Sequence, residues 1–152
     1  MITGPSQGGL GAETAISLAK ASPALLILAG RSESKATPVI AQIAESSPDV
    51  QVRFISLDLG SQKSVRDAAA KINAITTKID LLINNAAIMA CPYAKTEDGI
   101  ESQFATNHIG HFLLTKLLID KILTAGPGSR IINVSSSAIR GVIRYDDYNF
   151  QV

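Results

Sequence analysis

The chain has 152 residues, 46% of them apolar and 18% charged, with a formal net charge of +1 and one cysteine, Cys91. That length holds one domain with a sizeable core and leaves no room for two comfortable ones. The composition excludes disorder, the near-neutral charge gives no electrostatic case for nucleic acid or an anionic membrane, and a lone cysteine excludes an internal disulfide.

In chain order, residues 1–3 read as the end of a strand. They run into a Gly-rich loop, Thr3-Gly4-Pro5-Ser6-Gln7-Gly8-Gly9-Leu10-Gly11. A helix is expected over residues 11–21, with Ala15, Ile16 and Ala19 on one face. The next apolar run, residues 24–29, has strand length and is far too short to span a bilayer. A helix over residues 32–45 requires Pro38 in its first turn or a displaced start. Strand-like residues 50–59 precede a helix over residues 61–75, with Ser61 as its N-cap. Residues 79–83 read as a fourth strand. Residues 96–125 then read as one long helix, with Thr96 as cap, Glu97 and Asp98 in the first turn and Gly126-Pro127-Gly128 as the stop. Residues 130–134 close the pattern as a fifth strand.

Strands alternating with helices, and apolar on both faces, indicate a parallel sheet covered on both sides. The handedness of the crossovers gives a doubly wound α/β fold, with three α/β/α layers and ligands at the carboxyl ends of the strands. The Gly-rich loop lies between a strand and a helix, where its backbone can approach a pyrophosphate seated on the helix N-terminus. Arg31 follows the second strand, where an acidic residue would accept from a ribose 2′-hydroxyl and an arginine suits a 2′-phosphate. Arg31 therefore favours NADP(H) over NAD(H). A solvated surface arginine is the plainer alternative, and Glu33 argues mildly the other way.

Five segments in register carry a more specific signal: Thr3-Gly4, Asp58-Leu59, Asn84-Asn85-Ala86-Ala87, Asn107 and Asn133-Val134-Ser135-Ser136. In order and spacing this set resembles the short-chain dehydrogenase/reductase family. The stretch 84–115 is closest to its retinol-dehydrogenase-like and WW-domain-oxidoreductase-like branch. The resemblance covers essentially the whole chain and implies a Rossmann-like, NAD(P)-binding domain over residues 1–152, with five strands in the order 3-2-1-4-5 and the first strand truncated.

The resemblance implies that Thr3, Gly4, Ser6, Gly8, Gly9, Leu10 and Gly11 form the pyrophosphate loop. Asp58 would contact the adenine with Leu59 beside it, and Asn85 and Ala86 would lie along the adenosine. Asn107 would kink its helix and hold a water in a proton relay. Ser136 would be the catalytic serine, Ser135 being the alternative if the register slips by one. A serine hydroxyl at a strand's carboxyl end can donate to an oxygen on which negative charge develops. The implied reaction is hydride transfer between NADP(H) and a lipophilic alcohol, aldehyde or ketone.

Three features depart from the family pattern. The glycine loop is one residue longer, with Gly9 and Gly11 aligned to the last two glycines. Ala87 stands where glycine is usual. The general acid/base of a Tyr-x-x-x-Lys motif, whose lysine lowers the phenol pKa, is absent: Tyr145 and Tyr148 follow Ser136, but the last lysine is Lys121. The chain is thus expected to lack its substrate-binding part and to be clipped at both ends. The alternative is an inactive fragment or a dinucleotide-binding or interaction module. A flavodoxin-like binding domain fits the Asn-Asn-Ala and Asn-Val-Ser-Ser segments poorly.

Other chemically suggestive residues read as structural. His108 and His111 share a helix face but lack further metal ligands at convincing spacing, so no metal is expected. Cys91 has no neighbouring pattern that would activate a thiol. No Gly-x-Ser-x-Gly elbow supports a hydrolase triad around Ser135–Ser137. Asp146-Asp147 reads as a solvated turn. Pairing into a homodimer through the helix 96–125 is an expectation from the resemblance. So is a cytoplasmic location, with which a membrane anchor upstream of this chain is compatible.

Overall fold

A computed structural model describes residues 1–137 and 142–151. The strands are β1 (Ile2–Thr3), β2 (Leu25–Gly30), β3 (Gln51–Ser56), β4 (Leu81–Asn84) and β5 (Arg130–Asn133). They form one five-stranded sheet in the order β3-β2-β1-β4-β5, and every pairing is parallel. The expected fold and strand order are therefore observed.

The continuous apolar runs are explained by layers on both faces of the sheet. Along β2 the side chains alternate. Ile27 and Ala29 join Leu57, Val65, Leu114 and Leu118 in one core, while Leu26 and Leu28 join Ala15, Val39 and Ile43 in the other. Helices α1 (Leu10–Ala19) and α2 (Glu33–Ser46) cover the second core, whereas α3 (Gln62–Ile75) and α5 (Gly110–Thr124) cover the first.

Strand β1 has two residues, yet it is paired on both sides, Ile2 lying opposite Leu28 in β2 and Ile83 in β4. The pairing continues into Met1, whose ammonium donates to Leu81 O at 2.7 Å and whose carbonyl accepts from Ile83 N at 2.9 Å.

Helix α1 ends at Ala19, two residues before the expected end, and two other helices depart from expectation at their starts. Helix α2 starts at Glu33 and carries Pro38 inside it, beyond the first turn. The backbone bond that proline omits falls at the solvent-facing start of the helix, where Glu33, Ser34 and Lys35 are all exposed. The helix expected over 96–125 begins later. Thr96 instead opens a tight turn in which its amide donates to Ile100 O at 2.9 Å, Gly99 has φ +75°, and Lys95 bridges Glu101.

The actual cap is Glu101, whose carboxylate accepts from Gln103 N at 2.9 Å and Phe104 N at 2.8 Å. Burial alone would raise its pKa, but these amides bring it below the ordinary value. A short α4 (Ser102–Phe104) then leads through a π turn (Ala105–Ile109) into α5. Glu97 and Asp98 cap a different helix: Ser61 Oγ donates to Glu97, and Gln62 N donates to Asp98 Oδ2 at 2.8 Å. Ser61 is the N-cap of α3 as expected, accepting from Ser64 N at 3.3 Å.

Candidate functional site

A crevice of about 510 Å³ opens at the carboxyl ends of β1, β2, β3 and β4. Gly4, Ser6, Gly9, Leu10, Gly11, Arg31, Asp58, Leu59, Asn85 and Ala86 all line it. The sequence expectation thus maps largely onto one continuous surface.

At Gly4 and Gly11 the Gly-rich loop has room only for backbone. Gly9 is the N-cap of α1 and supplies no side-chain cap, so the positive end of the helix faces the crevice. A Cβ on Gly11 would lie 2.3 Å from Gly4 O and 2.5 Å from Asn85 Nδ2, so this position packs helix against strand. Gly8 has φ +76°, is exposed and has no neighbour in the way of a Cβ. Gly8 does not line the crevice. An uncapped helix end behind a cradle closed to side chains fits a dinucleotide pyrophosphate.

Thr3 also departs from its expected contact. It is fully buried beneath the loop, and its Oγ1 accepts from Asn85 N and Ala86 N, both at 3.0 Å. Asn85 returns a bond from Nδ2 to Thr3 O at 2.8 Å. Thr3 therefore shapes the crevice floor from behind.

Arg31 is exposed at the mouth, and Lys35, four residues on, lines the same crevice. The amide of Gln7 donates to Lys35 O at 3.1 Å, which fastens the start of α2 to the phosphate loop. Lys35 was not singled out from the sequence, although its i, i+4 spacing from Arg31 was the available signal. Asp58 is half-buried, and its Oδ1 accepts from Gly60 N at 2.9 Å.

A second cavity, of about 870 Å³, shares Asn85, Ala86 and Ala87 with the crevice and reaches Asn107, Ser135 and Ser136 on its far side. Both serines follow β5 and both are exposed. Tyr145 and Tyr148 do not line this cavity, and Tyr148 instead packs 6.3 Å from the Phe104 ring.

Asn107 lies in the π turn, where the helical ladder shifts so that Gly110 N donates to Ala105 O. Its side chain is occupied by backbone: Oδ1 accepts from Ile88 N at 2.9 Å, and Nδ2 donates to Ile88 O at 2.8 Å. It therefore pins the segment after β4 against the helix. The two histidines part company. His108 is exposed and stacks on Phe104 at 5.5 Å, while His111 is buried against Thr3.

Beyond the cavity, Asn149 clamps the C-terminal stretch onto the turn before α4. Its Oδ1 accepts from Glu101 N at 2.8 Å, its Nδ2 donates to Gly99 O at 3.1 Å, and its carbonyl accepts from Tyr93 Oη at 3.1 Å. Asp147, expected as a solvated turn residue, is largely covered and accepts from Gln151 N at 2.7 Å. Cys91 is exposed, with Met89 O 3.7 Å from its sulfur.

Residues 1–148 match the short chain dehydrogenase family. Retinol dehydrogenase 13 of Homo sapiens is 45% identical over 152 residues, covering 99% of this chain and 45% of that protein. The crystal structure of a protein from Mycobacterium paratuberculosis superposes with a TM-score of 0.78 at 40% identity, over 99% of this chain and 50% of that one. A short chain dehydrogenase from Salmonella enterica superposes with a TM-score of 0.74 at 28% identity, over 90% of this chain and 57% of that one. The chain spans about half the length of the relatives it matches.

Proposed function

Because this chain belongs to the short-chain dehydrogenase family, we propose that its crevice holds NADP(H) and serves hydride transfer to or from a lipophilic alcohol, aldehyde or ketone. Residues 1–152 are then the nucleotide-binding part of the enzyme. The observation that carries this reading is the continuity of the two cavities through Asn85–Ala87, which runs from Arg31 and the phosphate loop to Ser136. The name of the human relative supports the substrate class, and its standing as a dehydrogenase favours an oxidoreductase over a non-catalytic module.

The dinucleotide would supply the hydride; the protein's part is binding and polarisation. The N-terminus of α1 and the Gly4–Gly11 cradle would take the pyrophosphate. Arg31, with Lys35 beside it, would take the 2′-phosphate, and Asp58 and Leu59 would border the adenine. Ser136 would donate a hydrogen bond to the substrate oxygen as it gains charge, with Ser135 in reserve. With the Asn107 side chain committed to Ile88, a relay water would bind its carbonyl. No residue here supplies the Tyr-x-x-x-Lys proton donor. A homodimer would form through α5, whose Phe112 and Leu123 are exposed. No helix among the described residues is long and apolar enough to cross a membrane.

Fluorescence titration with NADPH and NADH tests the cofactor assignment. The chain is expected to bind NADPH more tightly, and Arg31→Ala to erase about tenfold or more of that preference, the worth of one charge-assisted contact. An unchanged ratio in Arg31→Ala would overturn the assignment. Incubated with NADPH and an aliphatic aldehyde, the 152-residue chain is expected to bind cofactor without turnover. An ordinary rate of NADPH consumption would show that another group supplies the proton.

A further inference from the structure

His111 has no part in the reading above, yet its imidazole joins two walls of the site. Nε2 lies 2.9 Å from Thr3 Oγ1, and Nδ1 lies 3.1 Å from Asn107 O. A backbone carbonyl only accepts, so Nδ1 carries the proton and Nε2 of the neutral ring is an acceptor. Thr3 Oγ1 already accepts from Asn85 N and Ala86 N, which fills its two acceptor sites, and its single proton is free to point at Nε2. The hydrogen-bond chain then runs from the Asn85–Ala86 amides through Thr3 and His111 to the carbonyl of Asn107, with no donor left over.

A charged ring breaks this pattern. Nε2 becomes a donor facing a hydroxyl whose acceptor sites are full. The remaining outlet for the Thr3 proton is Ile83 O at 3.5 Å, a poor distance. The surroundings reinforce the neutral form. The ring shares its cavity with Asn84 of β4 and Asn85 after it, Asn133 of β5, Thr115 of its own helix and His108 of the π turn. His108 is the one titratable group among these. Burial pushes the His111 pKa below 6.5, the Asn107 bond opposes this, and His108 adds a small push the same way.

We propose that His111 is a positioning residue whose neutral Nδ1–H ring couples the nucleotide crevice, at Thr3, Asn85 and Ala86, to the π turn that presents Asn107. Protonation of the ring releases that coupling. The effect on cofactor rests on the crevice being the dinucleotide site; the coupling itself does not.

The test uses the full 152-residue chain labelled with ¹⁵N. Imidazole ¹⁵N shifts should show the Nδ1–H tautomer at neutral pH and a titration below 6.5. Protection factors for hydrogen exchange at the Asn85 and Ala86 amides should fall as the ring charges. Affinity for NADPH should fall about tenfold across the same titration, the worth of one lost hydrogen bond. His111→Gln, which can accept from Thr3 without titrating, should abolish the pH dependence of the protection factors and the ring's share of that of affinity. It should also restore most of the binding that His111→Phe loses. An Nε2–H tautomer, a ring charged at neutral pH, or an unchanged pH profile in His111→Gln would overturn the proposal. Absence of NADPH binding at every pH would sink the cofactor reading instead, and the tautomer and exchange data would still decide the coupling.

Discussion

Two glycines three residues apart in the phosphate loop do different work. At Gly11 a methyl group would run into the Gly4 carbonyl, a backbone group with nothing flexible to give way. Gly11→Ala should therefore lower stability by about 1–3 kcal/mol, as overpacking does, and should abolish NADPH binding by pushing α1 off the strand. Gly8 needs only its left-handed φ of +76° in open space, so Gly8→Ala should cost about 1 kcal/mol and leave NADPH affinity within a few-fold. Denaturant midpoints and NADPH titrations of the two variants check both expectations. Equal effects would mean that the extra loop residue lies inside the phosphate cradle.

At the scale of elements, local pattern located the helices and strands, but contacts between them decided where helices start. Thr96, Glu97 and Asp98 have the composition of a helix N-terminus. They make a turn because Gly99 sits at φ +75° and the buried Glu101 carboxylate offers α4 a better cap. The acids freed by this turn satisfy the N-terminus of α3, thirty-six residues away. Asp98→Ala is accordingly expected to destabilise α3 by about 1 kcal/mol, the ordinary worth of an N-cap bond. Faster amide exchange at Gln62 to Val65, with exchange in α5 unchanged, is the expected signature. Loosening of α5 would instead restore the 96–125 helix that the sequence suggests.

For the whole molecule, a buried imidazole makes stability depend on pH. Burial lowers the His111 pKa below 6.5 in the fold, so the folded state binds fewer protons than the unfolded chain as pH falls past that value. The contribution is fully present above pH 6.5 and is lost as pH falls through the folded value. Urea midpoints should therefore fall below pH 6.5, and His111→Gln, which does not titrate, should remove part of that slope. A slope unchanged in His111→Gln would mean that this ring is not the titrating group.

The order of strands and helices, the parallel sheet, the Gly-rich loop and most of the crevice lining were determined by the sequence itself, because each is written in neighbouring residues. Apolar runs, 3.6-residue periodicity, glycine spacing and Arg31 after the second strand are local patterns. Only the tertiary structure decided what Thr3, His111, Glu101, Lys35 and Asn149 do. Thr3 reads as a strand end that touches the pyrophosphate until the segment after β4 and α5 bury it, eighty and more positions away. His111 reads as core packing until its two nitrogens meet Thr3 and Asn107. A hydrogen bond between groups so far apart in the chain leaves no periodicity behind, and its donor and acceptor roles emerge only when every partner is in place.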